Sequence, residues 1–314
     1  MRALVALGGN ALTSPHGRAR PQDQIAAITV AMATVAELIG DGVDVVLTHG
    51  NGPQVGNLLV KNELAAAVVP PVPLDWCGAQ TQGTIGFVVL NALEDALARR
   101  GLRRPVAALV TRTLVDAADP GFAAPSKPIG RYLPKDQVQP LLAHGQVWQD
   151  RGERGWRRVV ASPEPVQILD GDAVVALVAA GFVVVAAGGG GIPCVRDDDG
   201  RLRGVEAVID KDLAATLLAR TVAADVLVIA TDVDNVVVGW GQPGAEPLEQ
   251  VSVGRLRALA AQGQFASGSM GPKVEAACRF VQAGGRYAVI CSLARIGAAA
   301  HGRAGTVVRA TDSA

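Results

Sequence analysis

The sequence predicts an α/β fold in which helices cover both faces of a doubly wound, mainly parallel sheet. Strand-like and helix-like segments alternate along most of the 314 residues. Hydrophobic residues make up 49% of the chain and aromatic residues only 4%, which is typical of an Ala/Val/Leu core around a buried parallel sheet. Glycine-rich turns follow several apolar segments, and in this fold class ligands bind where the strands end.

The first part of the chain shows this alternation clearly. Arg2–Leu7 is a short apolar segment followed by a glycine turn. Helical spacing of apolar residues predicts a helix over Gln22–Ile39, and the β-branched segment Val43–Thr48 predicts the next strand. A long helix is then predicted over Asp75–Arg99 and a strand over Pro105–Thr111.

Residues 116–165 break the alternation. This stretch is rich in proline and charged residues, and two strands are predicted within it, Gln146–Asp150 and Trp156–Val160, joined by a glycine-containing turn. We interpret it as a small inserted subdomain or lid, called the insert below. After the insert, the pattern predicts helices over Val166–Ala180, Asp210–Val222 and Pro272–Ala283, and strands over Phe182–Ala187, Asp225–Ala230, Tyr287–Ile290 and Gly305–Val308.

Charge and cysteine content limit the classes of partner and compartment. Lys plus Arg and Asp plus Glu both number 29, so we expect neither a nucleic acid nor a membrane surface as partner. Because the first predicted strand begins close to Met1, we expect no signal peptide, and we expect no apolar stretch to approach membrane-spanning length. The four cysteines lack CxxC spacing, and no metal-binding cluster is predicted. We therefore expect a cytoplasmic protein without a resident metal.

Four glycine-rich turns are the strongest functional signal. They are Gly8-Gly9-Asn10, His49–Pro53, Gly188–Gly191 and Gly268–Lys273. Glycine lets backbone N–H groups approach a phosphate closely, and a following helix adds further N–H donors. A single such turn also serves as an ordinary corner. Four of them, with asparagine amides at Asn10 and Asn51, favour a site that holds phosphoryl groups.

Lysine placement strengthens this interpretation. Only five of the 29 basic residues are lysines, and Lys127, Lys211 and Lys273 lie in motif-like surroundings. A lysine ammonium is a compact, mobile charge that can follow a phosphoryl group. Asp210 and Asp212 flank Lys211 and would keep it charged, although acidic residues are also common in a first helical turn. From the residues alone, Lys127 reads as a solvent-exposed lysine.

Several positions remain open at this point. Thr231–Asp234 either frames a nucleotide or forms an ordinary turn at the end of a strand. His49 is either an acid–base group or a structural histidine. Gln80 and Gln82 either line an acceptor pocket or cap a helix.

Taken in order, these motifs resemble those of the carbamate kinases, which belong to the amino acid kinase superfamily. The resembling segments are Gly8–Leu12, Thr48–Gly56, Asp75–Gly83, Ser126–Gly130, Gly188–Pro193, Ala207–Ala215, Thr231–Val236 and Gly268–Ala277. The features that best distinguish the carbamate kinases from related kinases are Asn10 and the Lys-Pro-Ile-Gly sequence of the insert, because related kinases generally carry a lysine in the first turn. The resemblance implies one domain over residues 1–314, an open three-layer αβα sandwich with a protruding subdomain. Residues 1–205 would form the acceptor lobe and residues 206–314 the nucleotide lobe.

The resemblance also implies a reaction, the reversible conversion of carbamoyl phosphate and ADP to carbamate and ATP with Mg²⁺. The residues that would hold carbamate and the transferring phosphoryl group are Gly8, Gly9, Asn10, Gly50, Asn51 and Gly52. The catalytic residues would be Lys127, Lys211, Lys273 and Asp210, with Asp210 orienting the lysines. The nucleotide would contact Thr231, Asp232, Gly268, Ser269, Met270 and Lys273. A cytoplasmic homodimer active in arginine metabolism is expected.

Two departures and two alternatives accompany this expectation. Arg131 stands where the family commonly has proline, and Val237 where it often has an aromatic residue. The alternatives are a related kinase that forms another acyl phosphate and a non-catalytic sensor of nucleotide or carbamoyl phosphate. Asn10 argues against the first alternative, and the intact lysine set argues against the second.

Overall fold

The computed structural model describes residues 1–9, 20–143, 146–266 and 268–311, apart from the side chain of Pro140. The strands in this part of the chain are β1 (Arg2–Leu7), β2 (Asp44–His49), β3 (Val106–Ala108), β4 (Arg112–Val115), β5 (Lys127–Leu133), β6 (Val147–Asp150), β7 (Trp156–Val160), β8 (Pro165–Ile168), β9 (Val183–Val185), β10 (Ile192–Arg196), β11 (Leu202–Gly204), β12 (Val226–Thr231), β13 (Val236–Val238), β14 (Glu246–Leu248), β15 (Gln250–Ser252), β16 (Tyr287–Ser292) and β17 (Thr306–Arg309). The helices are α1 (Pro21–Gly40), α2 (Gly52–Ala65), α3 (Leu74–Arg99), α4 (Pro120–Ala123), α5 (Lys135–Ala143), α6 (Gly171–Ala179), α7 (Lys211–Thr221), α8 (Val253–Ala261), α9 (Met270–Gln282) and α10 (Ile296–Ala300).

An eight-stranded sheet forms the centre of the molecule, in the order β15-β17-β16-β12-β1-β2-β9-β3. Every neighbouring pair is parallel except β16 with β17. The sheet is open because β15 and β3 are its two edges. The prediction of an open, mainly parallel sheet is therefore confirmed.

Alternate residues of each strand face opposite helix layers, as the two-residue period of a strand requires. In β1, Ala3, Val5 and Leu7 pack towards α1, α3 and α10, whereas Leu4 and Ala6 pack towards α6, α7, α8 and α9. Both faces of the sheet are thus buried, which explains why its strands read as continuous apolar segments. The three-layer αβα architecture is confirmed.

Helix α1 corrects one expectation from the sequence. It has the length and hydropathy of a membrane span, so the statement that no apolar stretch reaches that length was wrong. Its buried residues, among them Ile28, Met32 and Val35, lie in the core beneath the sheet. This packing is typical of a core helix of a folded domain.

Strands β5, β7 and β6 form a separate antiparallel sheet inside the insert. Leu133, Val138 and Trp148 provide this sheet with a small core of its own. Ile129 and Val160 instead pack against α2 and α3, which attaches the insert to the main body. The predicted boundaries of the insert and of the two lobes stay predictions.

Two elements differ from their predicted form. The segment predicted as a helix over Val166–Ala180 begins with β8, which pairs with β4 in a four-stranded sheet, and only then continues as α6. The predicted strand Pro105–Thr111 ends early at Ala108, and the chain enters β4 at Arg112. A short apolar segment fits either element by its pattern, so its partner in the tertiary structure decides.

Candidate active site

Three strand ends meet at one edge of the central sheet. The Gly8 N–H donates to the Ala230 carbonyl at 2.8 Å, and the Gly50 N–H donates to the Leu7 carbonyl, also at 2.8 Å. These bonds continue the β12–β1–β2 ladder into the turns. The first two glycine turns and the end of β12 therefore lie side by side, as expected of ligand-binding turns in this fold class.

The backbone of the first turn lies directly on that of the second. A Cβ atom placed on Gly50 would lie 2.6 Å from Gly9 N and 3.1 Å from Lys211 Cδ. A side chain at Gly50 is therefore excluded by backbone, which cannot yield as a flexible side chain would. Only glycine permits this approach, and the approach places both turns next to Lys211.

The start of α2 supplies N–H donors to the same place. The Gly52 and Gln54 amides donate no hydrogen bond to a described residue. Gly52 is exposed, and a Cβ atom added to it would meet nothing within 4 Å. Free amides and the positive end of a helix dipole form an anion site. Asn10 lies outside the described residues, so its assigned role stays a prediction.

Asp210 connects the insert to the start of α7. Its Oδ1 caps the helix by accepting from the Asp212 N–H at 2.9 Å and the Leu213 N–H at 3.4 Å. Its Oδ2 accepts from Lys127 Nζ at 2.8 Å. The structure therefore places Asp210 against Lys127 rather than against Lys211 and Lys273. Lys127, read from the residues alone as a loop lysine, lies at this site.

Asp212 is the carboxylate that holds the other two lysines, and sequence reasoning did not include it among the site residues. Its oxygens pair with Lys211 Nζ and, at 3.2 Å, with Lys273 Nζ. Its residue exposure is 2%. Burial alone would raise the Asp212 pKa, but the two ammonium charges hold it below its usual value. The Asp-Lys-Asp motif could have indicated Asp212, because either of its two carboxylates could hold a lysine.

Lys211 lies at the centre of this charge cluster. Burial lowers its pKa below the usual value, and the attraction of Asp212 offsets this only in part, while Lys273 lowers it further. Two ammonium groups on one carboxylate leave a net positive charge. Such a charge beside free backbone amides is suited to an oxyanion-rich ligand.

His49 is a buried, neutral histidine. Burial lowers its pKa to about 4, and the nearby Lys211 charge lowers it further. Its Nδ1 lies 3.0 Å from the Gly50 carbonyl oxygen, so Nδ1 carries the hydrogen and donates it. Of the two interpretations left open by the sequence, the structure favours a structural histidine that fixes Gly50.

The Gly188–Gly191 turn forms a floor beneath these groups. A Cβ atom on Gly188 would lie 2.4 Å from His49 Nε2, and one on Gly189 would lie 2.2 Å from Asn51 Nδ2. The buried Gln82 amide donates to the Gly188 carbonyl at 2.9 Å and accepts from the Thr111 N–H at 2.8 Å. Gln82 therefore holds this turn in place and does not cap a helix.

The nucleotide residues predicted from the sequence lie at the end of β12 and at the start of α9. Thr231 ends β12, and its hydroxyl lies 3.0 Å from Asp232 Oδ1. Gly268 and Ser269 precede α9, which begins at Met270. Lys273 Nζ also lies 3.3 Å from the Ser269 carbonyl oxygen. Lys273 thus connects the glycine turn before α9 with the carboxylate of Asp212.

Comparison with known proteins shows which family the chain is similar to. The amino acid kinase family model matches residues 1–292. The carbamate kinase of Thermococcus kodakarensis is 44% identical over 98% of both chains. A solved structure from Aeropyrum pernix superposes with a TM-score of 0.94 at 42% identity, over 99% of this chain and 100% of that one. The Giardia lamblia carbamate kinase bound to AMP-PNP has a TM-score of 0.92 at 38% identity, over 98% of both chains.

The chain belongs to the carbamate kinases of the amino acid kinase family. It is accordingly a phosphotransferase, and the predicted fold and family are confirmed. The residue roles carried over from the resemblance stay predictions. The geometry brings the described members of that set to one edge of the sheet.

One departure from the carbamate kinase pattern has a visible contact. Arg131 in the insert places a guanidinium nitrogen 3.8 Å from a Glu63 carboxylate oxygen on α2. Nearby, a Cβ atom on Gly56 would lie 3.2 Å from the Gly130 backbone. The insert and α2 therefore touch through paired glycines, and Arg131 adds a partly exposed ion pair of small energetic weight.

Proposed function

We propose that this carbamate kinase transfers a phosphoryl group directly between carbamoyl phosphate and ADP, in either direction. The observation that carries the proposal is the pairing of Asp212 with Lys211 and Lys273, together with the free amides at the start of α2. Phosphoryl transfer requires positioning and charge stabilisation more than covalent chemistry from the protein. The cluster supplies both.

The reaction balances without an acid–base residue. The bond between phosphorus and the carbamoyl oxygen breaks, a bond between phosphorus and a terminal ADP oxygen forms, and carbamate leaves as an anion. Carbamate then decomposes to ammonia and carbon dioxide. Lys211 and Lys273 offset the repulsion between the two anions as the phosphoryl group moves. Lys127 adds a third charge from the insert. His49, neutral at physiological pH, takes no proton.

We propose that Mg²⁺ arrives with the nucleotide as part of the substrate. Within the described residues, no group of three or more His, Cys, Asp and Glu side chains could hold a metal ion. Mg²⁺ usually keeps several waters and binds through substrate phosphates with one or two carboxylates, and Asp232 is the carboxylate predicted to border the nucleotide.

ATP formation from ADP and carbamoyl phosphate with Mg²⁺ tests the proposal. Acetyl phosphate and acetylglutamyl phosphate serve as comparison donors. Fast ATP formation selective for carbamoyl phosphate is the expected result. Preference for another donor would favour the related acyl phosphate kinase. ADP binding without ATP formation from any donor would favour the sensor.

We also propose that the enzyme is a cytoplasmic homodimer. The support is an apolar face around α3 and the edge strand β3, where Trp76, Phe87 and Val110 are each at least 60% exposed. A second copy can cover this face by a two-fold axis beside the free edge of β3. The arginine metabolism expected from the resemblance stays a prediction.

Sedimentation equilibrium of the wild type and of Phe87→Glu tests this interface. A dimer in the wild type and a monomer in the variant is the expected result. The control is Trp240→Glu, because Trp240 is also exposed but lies away from α3. A monomeric wild type would contradict the homodimer, and a dimeric Phe87→Glu variant would move the interface elsewhere.

A further inference from the structure

The side chain of Asn51 has an unusual hydrogen-bond partner for a residue at the start of a helix. Asn51 is the N-cap residue of α2, where asparagine ordinarily accepts a hydrogen bond from an amide of the first helical turn. Here its side chain makes no capping bond. Its Nδ2 instead donates to the Thr81 hydroxyl on α3 at 2.9 Å.

Thr81 fixes the direction of that bond. Its hydroxyl hydrogen donates to the Gly78 carbonyl at 2.7 Å, so the hydroxyl oxygen can only accept from Asn51. Thr81 is 2% exposed and Asn51 is 7% exposed. Water therefore cannot readily replace either partner, and a lost partner would leave a buried donor unsatisfied.

The hydrogen bond from Asn51 to Thr81 leaves the N-terminus of α2 without its usual side-chain cap. Pro53, the second residue of this helix, has no N–H, so a capping Asn51 would accept from the Gln54 amide. Because Thr81 holds the Asn51 side chain away, that amide has no acceptor among the described residues. The amide thus remains open to a ligand next to Gly9 and Gly52.

We propose that Thr81 is a positioning residue that keeps Asn51 from capping α2, so that the helix N-terminus can bind the phosphoryl group of carbamoyl phosphate. Thr81 itself touches no substrate. It acts through Asn51 from a rigid helix. Gly189 assists, because its missing Cβ provides the space in which the Asn51 amide lies. The inference rests on the proposed function for the identity of the ligand.

Thr81→Val removes the hydroxyl at nearly constant shape, and Thr81→Ser retains it. Thr84→Val is the matched control, because the Thr84 hydroxyl donates to the Gln80 carbonyl of the same helix at 3.0 Å and lies at the surface. For each variant we would measure the KM for carbamoyl phosphate and for ADP, the thermal midpoint, and the Kd of inorganic phosphate.

In Thr81→Val we expect the Kd of phosphate and the KM for carbamoyl phosphate to rise about tenfold, as for one buried hydrogen-bonding group left unsatisfied. The KM for ADP stays the same, and Thr81→Ser and Thr84→Val match the wild type. If Thr81 had a purely structural role, its replacement by valine would lower the thermal midpoint and weaken the binding of both substrates equally. Equal weakening of both substrates would overturn the proposal. So would wild-type binding by Thr81→Val, or a loss of binding in Thr81→Ser equal to that in Thr81→Val.

The phosphate measurement separates this inference from the proposed function. If the wild type forms no ATP but binds phosphate more tightly than Thr81→Val, the proposed function fails and the positioning role stands. If the wild type forms ATP and Thr81→Val matches it in every constant, the positioning role alone fails. Thr81→Ala replaces Thr81→Val if the latter does not fold. Unfolding of both would show a structural role and overturn the proposal.

Discussion

The Asp212 carboxylate lies 3.2 Å from the Lys273 ammonium group, although 61 positions separate the two residues in the chain. The same carboxylate holds Lys211, its neighbour in the sequence. One buried acid therefore fixes the distance between two lysines that arrive on different helices, α7 and α9. The spacing of the positive charges at the site follows from this single side chain.

Asp212→Asn should lower kcat about a hundredfold or more, since both lysines lose the charge that positions them. It should also destabilise the fold, because removing one partner from a buried ion pair costs about 3–5 kcal/mol. Steady-state kinetics and urea unfolding measure the two effects. Asp197→Asn on an exposed turn is the control. Unchanged kcat in a folded Asp212→Asn protein would contradict the assigned role.

Lys211→Ala and Lys273→Ala should each lower turnover by orders of magnitude while the fold survives, because each removes a charge that stabilises the transferring phosphoryl group. Lys61→Ala, on the exposed surface of α2, should leave turnover unchanged. The ATP-forming assay and circular dichroism provide the readouts. Near-normal turnover in both site variants would refute their roles.

Lys127→Ala should impair phosphoryl transfer more than ADP binding, since Lys127 reaches the site from the insert through Asp210. Stopped-flow transfer rates and calorimetric titration with ADP separate the two steps. Lys135→Ala is the matched control, because Lys135 is an exposed lysine of the same insert. Weaker ADP binding with full turnover would mean that the insert serves the nucleotide instead.

Gly50→Ala should abolish substrate binding, because its methyl group would meet Gly9 N at 2.6 Å and force the first two turns apart. The KM for carbamoyl phosphate is the informative constant. Gly254→Ala in α8 is the control, since a Cβ atom there meets nothing within 4 Å. An alanine at position 50 with wild-type KM would show that the two turns can separate without loss.

His49 should make the protein less stable in mild acid. Its pKa in the folded protein is about 4, against about 6.5 in the unfolded chain, so the unfolded chain takes up the proton first as the pH falls. The contribution is complete above about pH 6.5 and is lost towards pH 4, about 3 kcal/mol in all. Below about pH 4, His49 is protonated in both the folded and the unfolded state, so it adds no further change of stability with pH.

Unfolding free energies between about pH 4 and pH 7 test this expectation. His49→Asn retains a donor near the Gly50 carbonyl and should show a shallower loss of stability on acidification than the wild type. If stability falls equally with pH in the wild type and in His49→Asn, groups other than His49 cause the loss of stability in acid.

The sequence by itself determined the layered fold, and it predicted the edge of the sheet at which the glycine turns meet. Continuous apolar strands such as Arg2–Leu7 are readable because both faces of a parallel sheet are buried. The turn at Gly50 is readable because only glycine permits such a close backbone approach. These features are local, and each is recorded in a few neighbouring residues.

Only the tertiary structure decided which groups pair at the site. Asp210 and Asp212 look equivalent in the sequence, yet Asp210 caps α7 and holds Lys127, while Asp212 is buried between Lys211 and Lys273. The partner of Asn51 on α3 was likewise not readable. Such pairings depend on how helices that are distant in the chain pack together, and a local sequence pattern does not contain that information.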